Sequence, residues 1–203
     1  VTWLRSYAEC KALLSEGTAP FSVALLDVNL PDAPGGAVID LVLSHDIPVI
    51  VLTGTLNDAM RDAFWAKHIV DYILKRSPQC IDSTLKAVRN ILRNKELKCL
   101  VVDDSRLFRH HVSTLLAAQG YTVLTAANGR EALEILGKHR DVILTVTDYT
   151  MPGMDGVALT QEIRKTIPID EMALIGVSST GNASTSILFL KNGANDYLTK
   201  PFQ

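Results

Sequence analysis

The sequence predicts an α/β protein that is built from two parallel-sheet units in tandem. Short apolar segments that suit buried parallel strands, such as Cys99–Val102 and Val142–Val146, alternate with segments whose apolar residues recur at helical spacing. Strands and helices that alternate in this way form a parallel sheet with helices on both faces. The length of 203 residues is sufficient for two domains of about 100 residues each.

An internal repeat indicates that the two halves share one fold. An apolar run that ends in Asp, with Pro four positions later, occurs at Phe21–Pro31 and again at Asp141–Pro152. In both halves a Gly follows that Pro by four residues. Two further pairs follow in the same order: Pro48–Gly54 with Ala173–Ser179, and Val70–Lys75 with Asn195–Lys200. Four landmarks in one order are poorly explained by chance.

The repeat predicts domains at residues 1–94 and 95–203, joined by a short charged linker. An alignment counted back from the repeated aspartates pairs Val1 with Thr122, where the second strand of the second unit is expected to start. The first unit is therefore expected to lack its first strand and first helix. The second unit is expected to lack its last helix, because Gln203 follows its fifth strand closely. We interpret the chain as a fragment; domain swapping and a natural truncation are the alternatives.

Composition argues against several classes of protein. A formal net charge of −2 gives no basic surface for direct nucleic-acid binding. The apolar runs are too short to span a membrane, which takes about 20 residues. Three widely spaced cysteines do not suit a disulfide framework or a cysteine-rich metal site. With no signal peptide visible, we expect a cytoplasmic location.

Five polar residues are expected to meet at one edge of the second sheet. They lie at the ends of the first, third, fourth and fifth strands of that unit and are Asp103, Asp104, Asp148, Ser178 and Lys200. Ligands of doubly wound sheets bind beyond the carboxyl ends of the strands. Three carboxylates in one pocket need a cation, and Mg²⁺ suits oxygen ligands. With Lys200 as a further positive charge, this set predicts phosphoryl transfer to Asp148 and a hydrogen bond from Ser178 to the phosphoryl group.

The motifs VVDDSRLFR, TDYTMPGMDG, GVSS and YLTKPF closely resemble the receiver (chemotaxis-regulator-like) domains of two-component response regulators. The resemblance covers nearly the whole chain, as two receivers in tandem. It implies two doubly wound, flavodoxin-like parallel sheets of five strands in the order 2-1-3-4-5, each unit lacking the elements named above. It also implies a sensor histidine kinase as the phosphoryl donor and Mg²⁺ (or Mn²⁺) as the cofactor.

The resemblance assigns a role to each site residue. Asp148 is implied as the phosphoacceptor, with Asp104 and Asp148 as direct metal ligands. Asp103 is implied as a ligand through water, and Thr150 as a ligand through its backbone carbonyl.

The resemblance further implies a switch beside the phosphoacceptor. Ser178 matches the switch hydroxyl and Lys200 the phosphate partner. Tyr197 matches the aromatic residue that changes rotamer on activation. Pro201 matches a proline whose preceding peptide bond is usually cis.

The first unit carries a possible second site. Its matching positions are Asp27, Asn29 (backbone carbonyl), Thr53, Tyr72 and Lys75. Arg76 stands where the family usually has proline, so a cis bond is not expected there. Two interpretations stay open: a second phosphoacceptor, or a receiver that is used only for contacts.

These observations predict a signalling switch and not an enzyme. Phosphorylation is expected to change the surface formed by Tyr197 and the fourth helix, about Ala183–Asn192. That change would control a partner or an output domain beyond Gln203. The family resemblance implies an output related to cyclic-di-GMP, and a homodimer is a further candidate partner. One alternative is an Asp-nucleophile phosphatase of the haloacid-dehalogenase type. That family has a second Asp two residues after the first, where this chain has Thr150. The other is a structural interaction module.

Overall fold

The computed structural model describes residues 1–17, 21–33, 35–55, 57–179 and 183–201. The chain divides into two compact units. The first comprises residues 1–94 and 118–120, and the second comprises residues 95–117 and 121–203. Among the described residues, no helix is long and apolar enough to cross a membrane.

The first unit alternates helices and strands around a parallel sheet of three strands. Its elements are α1 (Tyr7–Ser15), β1 (Ala24–Asp27), α2 (Ala37–Leu43), β2 (Val49–Thr53), α3 (Asp58–Ala66), β3 (Asp71–Leu74) and α4 (Cys80–Asn94). The sheet order is β1-β2-β3, with β2 in the centre. Val49, Ile50 and Val51 of β2 are fully buried and Leu52 is partly buried, as expected for a central parallel strand.

The first unit has one strand fewer than the alignment with the second unit predicts. Residues 1–5 correspond to a strand in that alignment but form none. In the second unit, the corresponding strand pairs with the unit's first strand alone. The described residues of the first unit offer no such neighbour, so the segment has no strand with which to form a ladder. Helix α1 follows directly and is capped at its start by Ser6, whose hydroxyl accepts a hydrogen bond from the Glu9 backbone N–H at 3.1 Å.

The second unit has a parallel sheet of five strands. Its elements are β4 (Lys98–Val102), α5 (Arg106–Ala118), β5 (Thr122–Ala126), α6 (Gly129–Lys138), β6 (Val142–Asp148), α7 (Gly156–Arg164), β7 (Ala173–Ser178), α8 (Ala183–Lys191) and β8 (Asp196–Thr199). The sheet order β5-β4-β6-β7-β8 is 2-1-3-4-5 when the strands are counted within the unit. The predicted α/β fold class is therefore confirmed. No helix follows β8 in the described residues.

Alternate residues of the central strands build two cores, one on each face of the second sheet. The core that α6, α7 and α8 cover contains Leu100, Val102, Leu136, Leu159, Leu174 and Phe189. The core that α5 covers contains Val101, Val112, Val146 and Val177. Because consecutive strand residues point to opposite faces, a continuous apolar strand such as β4 serves both cores.

Arg164, at the end of α7, fixes the loops at the amino ends of β7 and β8. Its Nε donates a hydrogen bond to the Gly193 carbonyl at 2.7 Å, and its Nη2 donates to the Met172 carbonyl at 3.0 Å. Nη2 also lies 3.1 Å from Asn195 Oδ1, which accepts the Leu174 backbone N–H at 2.8 Å. One guanidinium thereby satisfies backbone carbonyls from two loops.

We predict that Arg164→Lys lowers the free energy of unfolding by about 2 kcal/mol, because a single ammonium cannot reproduce the planar fork of donors. Urea denaturation followed by circular dichroism measures the loss. The matched control is Arg130→Lys on α6, where the arginine is exposed and a change within about 0.5 kcal/mol is expected. Equal stability of the two variants would contradict this account of Arg164.

Candidate functional site

The parallel topology of the second unit brings three of the predicted site residues together at one edge of the sheet. Asp103 follows β4, Asp148 ends β6 and Lys200 follows β8. The Lys200 Nζ lies 2.7 Å from Asp103 Oδ2 and 2.6 Å from Asp148 Oδ1. One ammonium is therefore shared by two carboxylates that are separated by 45 residues in the sequence.

Backbone groups fix both carboxylates and the lysine. The Asp148 Oδ2 accepts the backbone N–H of Thr150 at 2.8 Å, and the Asp103 Oδ1 accepts that of Ser105 at 2.8 Å. Each aspartate thus forms a local turn with the residue two positions on. The Lys200 backbone N–H donates to the Ser178 carbonyl at 2.8 Å, which places the start of the lysine side chain beside the end of β7.

Burial makes this arrangement electrostatically demanding. The Asp103 residue is 1% exposed and Asp148 is 8% exposed. Burial raises the pKa of the Asp103 carboxyl above its usual value, although the hydrogen bonds from Lys200 and from the Ser105 backbone oppose that rise. Burial also acts to lower the pKa of Lys200, but its hydrogen bonds to the two carboxylates outweigh that effect and raise it. Two buried carboxylates thus face one ammonium.

The predicted metal ligands do not form a ready-made cluster of side chains. No group of three or more His, Cys, Asp or Glu side chains suited to holding a metal ion occurs in the described part of the chain. Lys200 engages an oxygen of both Asp103 and Asp148, while Asp104 is exposed. The oxygen donors still suit Mg²⁺, which is usually held by one or two carboxylates with water and phosphate oxygens. An excess of buried negative charge favours such a cation.

Helix α5 contributes two side chains that the sequence analysis did not single out. The Arg109 Nη1 donates to the Asp103 carbonyl, and also to the Asp104 carbonyl at 3.1 Å. The Lys200 Nζ lies 3.6 Å from the centroid of the Phe108 ring. Side chains in the first turn of a helix point back toward its start. The position of Phe108 and Arg109 just after the acidic pair was therefore the signal in the sequence that they lie near the site.

An aromatic group lies next to Asp148. Phe189 of α8 is fully buried, and its ring centroid lies 6.0 Å from that of Tyr149 and 5.9 Å from that of Tyr197. Two glycines make room for this ring. A Cβ on Gly176 would lie 2.5 Å from Phe189 Cγ, and one on Gly156 would lie 2.9 Å from Phe189 Cζ. Tyr197 itself is half-buried, at the end of this row of rings.

The remaining expected features lie nearby. Ser178 is buried at the end of β7, and the Thr150 backbone follows Asp148 at the same edge of the sheet. The peptide bond between Lys200 and Pro201 is cis, as predicted.

The first unit repeats part of this geometry in a more exposed setting. Asp27 and Lys75 form an ion pair with side chains 37% and 40% exposed, against 9% and 19% for Asp148 and Lys200. Burial acts to raise the pKa of Asp27, but hydrogen bonds from Lys75 and the Asn29 backbone outweigh it and lower the pKa. The Thr53 hydroxyl is buried and donates to the Thr55 carbonyl at 2.6 Å.

Tyr72 and Arg76 complete the matching positions of the first unit. Tyr72 is half-buried, and its ring centroid lies 6.4 Å from that of Phe64. No cis bond was expected before Arg76, and within the described residues the cis peptide bond is that before Pro201.

Comparison with known proteins identifies the family. Residues 99–203 match the response regulator receiver domain. The "Chemotaxis protein CheY homolog" of Campylobacter jejuni is 38% identical over 107 residues, which are 52% of this chain and 82% of the relative. The chain belongs to the response regulator receiver family, and the resemblance seen in its motifs is confirmed.

Two solved structures extend the comparison. One is described as a putative two-component system response regulator/GGDEF domain protein. It matches 98% of this chain and 80% of its own at 32% identity, with a TM-score of 0.81, so the likeness includes both units. The other is the CheX–CheY–BeF₃–Mg²⁺ complex of Borrelia burgdorferi, which matches 53% of this chain and 80% of its own at 27% identity, with a TM-score of 0.50.

We predict that Lys200→Met lowers the free energy of unfolding by about 3 kcal/mol at neutral pH, because it leaves buried carboxylates without their counter-charge. This loss in the free energy of unfolding should shrink as pH falls toward about 4, where the carboxylates are protonated in the unfolded chain as well. The direction follows from the raised pKa of Asp103: its folded carboxyl takes up a proton first, and the neutral form tolerates burial. Urea denaturation across this pH range measures the effect.

Two variants serve as controls for the Lys200 prediction. Adding Asp103→Asn to Lys200→Met should recover most of the stability at neutral pH. Lys75→Met removes the matching ammonium from a more exposed pair and should cost under about 1 kcal/mol. A loss for Lys200→Met that is independent of pH, or one equal to that of Lys75→Met, would be inconsistent with a buried charge imbalance.

Proposed function

We propose that the second unit accepts a phosphoryl group on Asp148 from a sensor histidine kinase. The observation that carries the proposal is the pairing of two buried carboxylates, Asp103 and Asp148, with one ammonium from Lys200. An ion pair in this setting costs desolvation energy and contributes little net stability, so a chemical role explains it better than a structural one.

The reaction would be a direct displacement at phosphorus. A carboxylate oxygen of Asp148 attacks the phosphorus of a phosphohistidine, a P–O bond forms, and the P–N bond breaks. The electron pair of that bond leaves with the imidazole, which takes a proton from solvent. Lys200 offsets the charge on the phosphoryl oxygens, and the N–H of Thr150 orients the carboxylate. Ser178 then donates a hydrogen bond to the attached phosphoryl group.

Mg²⁺, or Mn²⁺ in its place, would supply positive charge for the incoming phosphoryl oxygens. Its ligands would be the carboxylates of Asp104 and Asp148, the backbone carbonyl of Thr150, and Asp103 through water. The Borrelia burgdorferi relative supports this choice, since its description names Mg²⁺ together with beryllofluoride.

The phosphorylated form would act as a switch and not as a turnover enzyme. Hydrogen bonds from Ser178 and Lys200 to the phosphoryl group would draw the end of β7 inward and allow Tyr197 to turn. The surface of α8 and β8 would change with it. Leucine and isoleucine side chains already lie exposed there, at Ile187, Leu188, Leu190 and Leu198.

The same proposal implies the partners that would bind this surface. An output domain related to cyclic-di-GMP is favoured by the structure that matches both units, since its description names a GGDEF domain. A homodimer is the other expected partner. Cys10, Cys80 and Cys99 are all free thiols, which suits the reducing cytoplasm where we place the protein.

For the first unit we propose an interaction role without phosphorylation. Asp27 and Lys75 form an exposed pair, which water screens, so their charges need no further cation to balance them.

Incubation with acetyl phosphate and Mg²⁺, followed by intact-mass measurement, tests this function. We predict one added phosphoryl group on the unaltered chain, none on Asp148→Asn, and no change in the result for Asp27→Asn. Omission of Mg²⁺ with a chelator present should reduce the rate by more than about tenfold, because charge stabilisation of this kind is worth several kcal/mol.

Three outcomes would count against the proposal. If acetyl phosphate adds no phosphoryl group to the wild-type chain, Asp148 is not a phosphoacceptor. If the Asp148→Asn variant were still modified and the Asp27→Asn variant were not, the phosphoacceptor would be Asp27 of the first unit. An unchanged rate under chelation would exclude the role of the divalent cation.

A further inference from the structure

The Phe108 ring lies against the lysine that bridges the two buried carboxylates. We propose that Phe108 is a positioning residue, whose aromatic face holds the Lys200 ammonium between Asp103 and Asp148. The lysine's role in phosphoryl transfer rests on the function proposed above, whereas the contact itself exists in the protein without a phosphoryl group.

The geometry is that of a close cation–π contact. The Lys200 Nζ lies 3.6 Å from the ring centroid, well within the range of about 6 Å over which such contacts are attractive. The lysine side chain is only 19% exposed, so water screens the contact weakly. The ammonium therefore has two carboxylate partners and one aromatic face.

The ring is itself well fixed. Phe108 lies in the first turn of α5, where its backbone N–H lies 3.4 Å from the Ser105 hydroxyl oxygen. Its side chain packs on the core that contains Val101, Val112, Val146 and Val177. The Arg109 guanidinium ties the same turn to the Asp103 and Asp104 carbonyls. The ring can therefore act as a rigid support.

Such a support matters because Lys200 must exchange partners. Lysine has a long flexible side chain and loses conformational freedom when it is held in one place. When a phosphoryl group arrives, one or both carboxylate bonds must give way to bonds with its oxygens. A ring contact carries no hydrogen bond that has to break, so it holds the ammonium in place before and after the exchange.

Fluorinated phenylalanines at position 108 separate positioning from simple packing. Stepwise fluorination weakens the negative face of the ring and changes its volume little. Monofluoro-, difluoro- and trifluorophenylalanine would be inserted at Phe108 in the full chain. The same series at Phe64, which is buried in the first unit, is the matched control. Phe108→Tyr keeps an electron-rich face, whereas Phe108→Leu keeps apolar bulk without a ring.

Three measurements are made on each variant. Carbon-13 relaxation of the Lys200 Cε reports the mobility of the side chain in the protein without phosphoryl donor. Intact mass over time reports the rate of modification by acetyl phosphate with Mg²⁺. Denaturation in urea shows whether each variant remains folded.

We expect the mobility of Lys200 to rise step by step with fluorination at Phe108, with Phe108→Tyr close to wild type. The modification rate should fall in parallel, by about 3- to 30-fold for trifluorophenylalanine, the loss expected for one cation–π contact at a partly buried site. The Phe64 series should change neither quantity.

Constant mobility of Lys200 across the Phe108 series would overturn the proposal and make Phe108 a packing residue only. A graded mobility with an unchanged rate would overturn its positioning role in the reaction. If the wild-type chain takes no phosphoryl group, the function proposed for Asp148 fails separately, and the mobility series alone decides whether the ring holds Lys200.

Discussion

The second unit depends on one ammonium shared between two buried carboxylates. Lys200 reaches Asp103 and Asp148 because the sheet order places β4 beside β6 and β8 two strands further along the same edge. Removing charges from water is costly, and the mutual attraction of a buried pair offsets that cost only when the geometry is good. The rigid parallel ladder, the backbone N–H groups and the close approach of α5 supply that geometry.

The packing beneath the site follows from the same constraint. A Cβ on Gly156 would lie 2.2 Å from the Asp148 carbonyl oxygen, so α7 can begin there only with glycine. Gly176 leaves the space that Phe189 fills, and Phe189 in turn contacts the rings of Tyr149 and Tyr197. A close-packed group of this kind does not deform gradually when one side chain moves. It changes instead by repacking into a second arrangement, which suits a two-state element.

The sequence predicted the strand ends well, because motifs such as VDD and TDYTMP join an apolar strand to its polar end within a few residues. It did not predict how the side chains meet. Lys200 was expected beside a metal cluster of three carboxylates, but it binds two of them itself. Those contacts depend on side-chain rotamers, which the sequence pattern does not specify. Phe108 was read only as part of a motif, since its contact joins residues 92 positions apart. Residues 1–5 form no strand, because a strand needs a neighbouring strand to pair with and the sequence of the segment alone does not supply one.

The two Asp–Lys pairs of this chain show how strongly surroundings determine chemistry. Both pairs join the ends of corresponding strands, yet the pair of the first unit is two to four times more exposed. An exposed ion pair is screened by water and contributes little, whereas a buried one shifts pKa values and creates a need for further cations. Burial separates the two pairs in this structure. An Asp that recurs at a strand end is therefore insufficient evidence of a phosphoacceptor, and the burial of its carboxylate has to be considered with it.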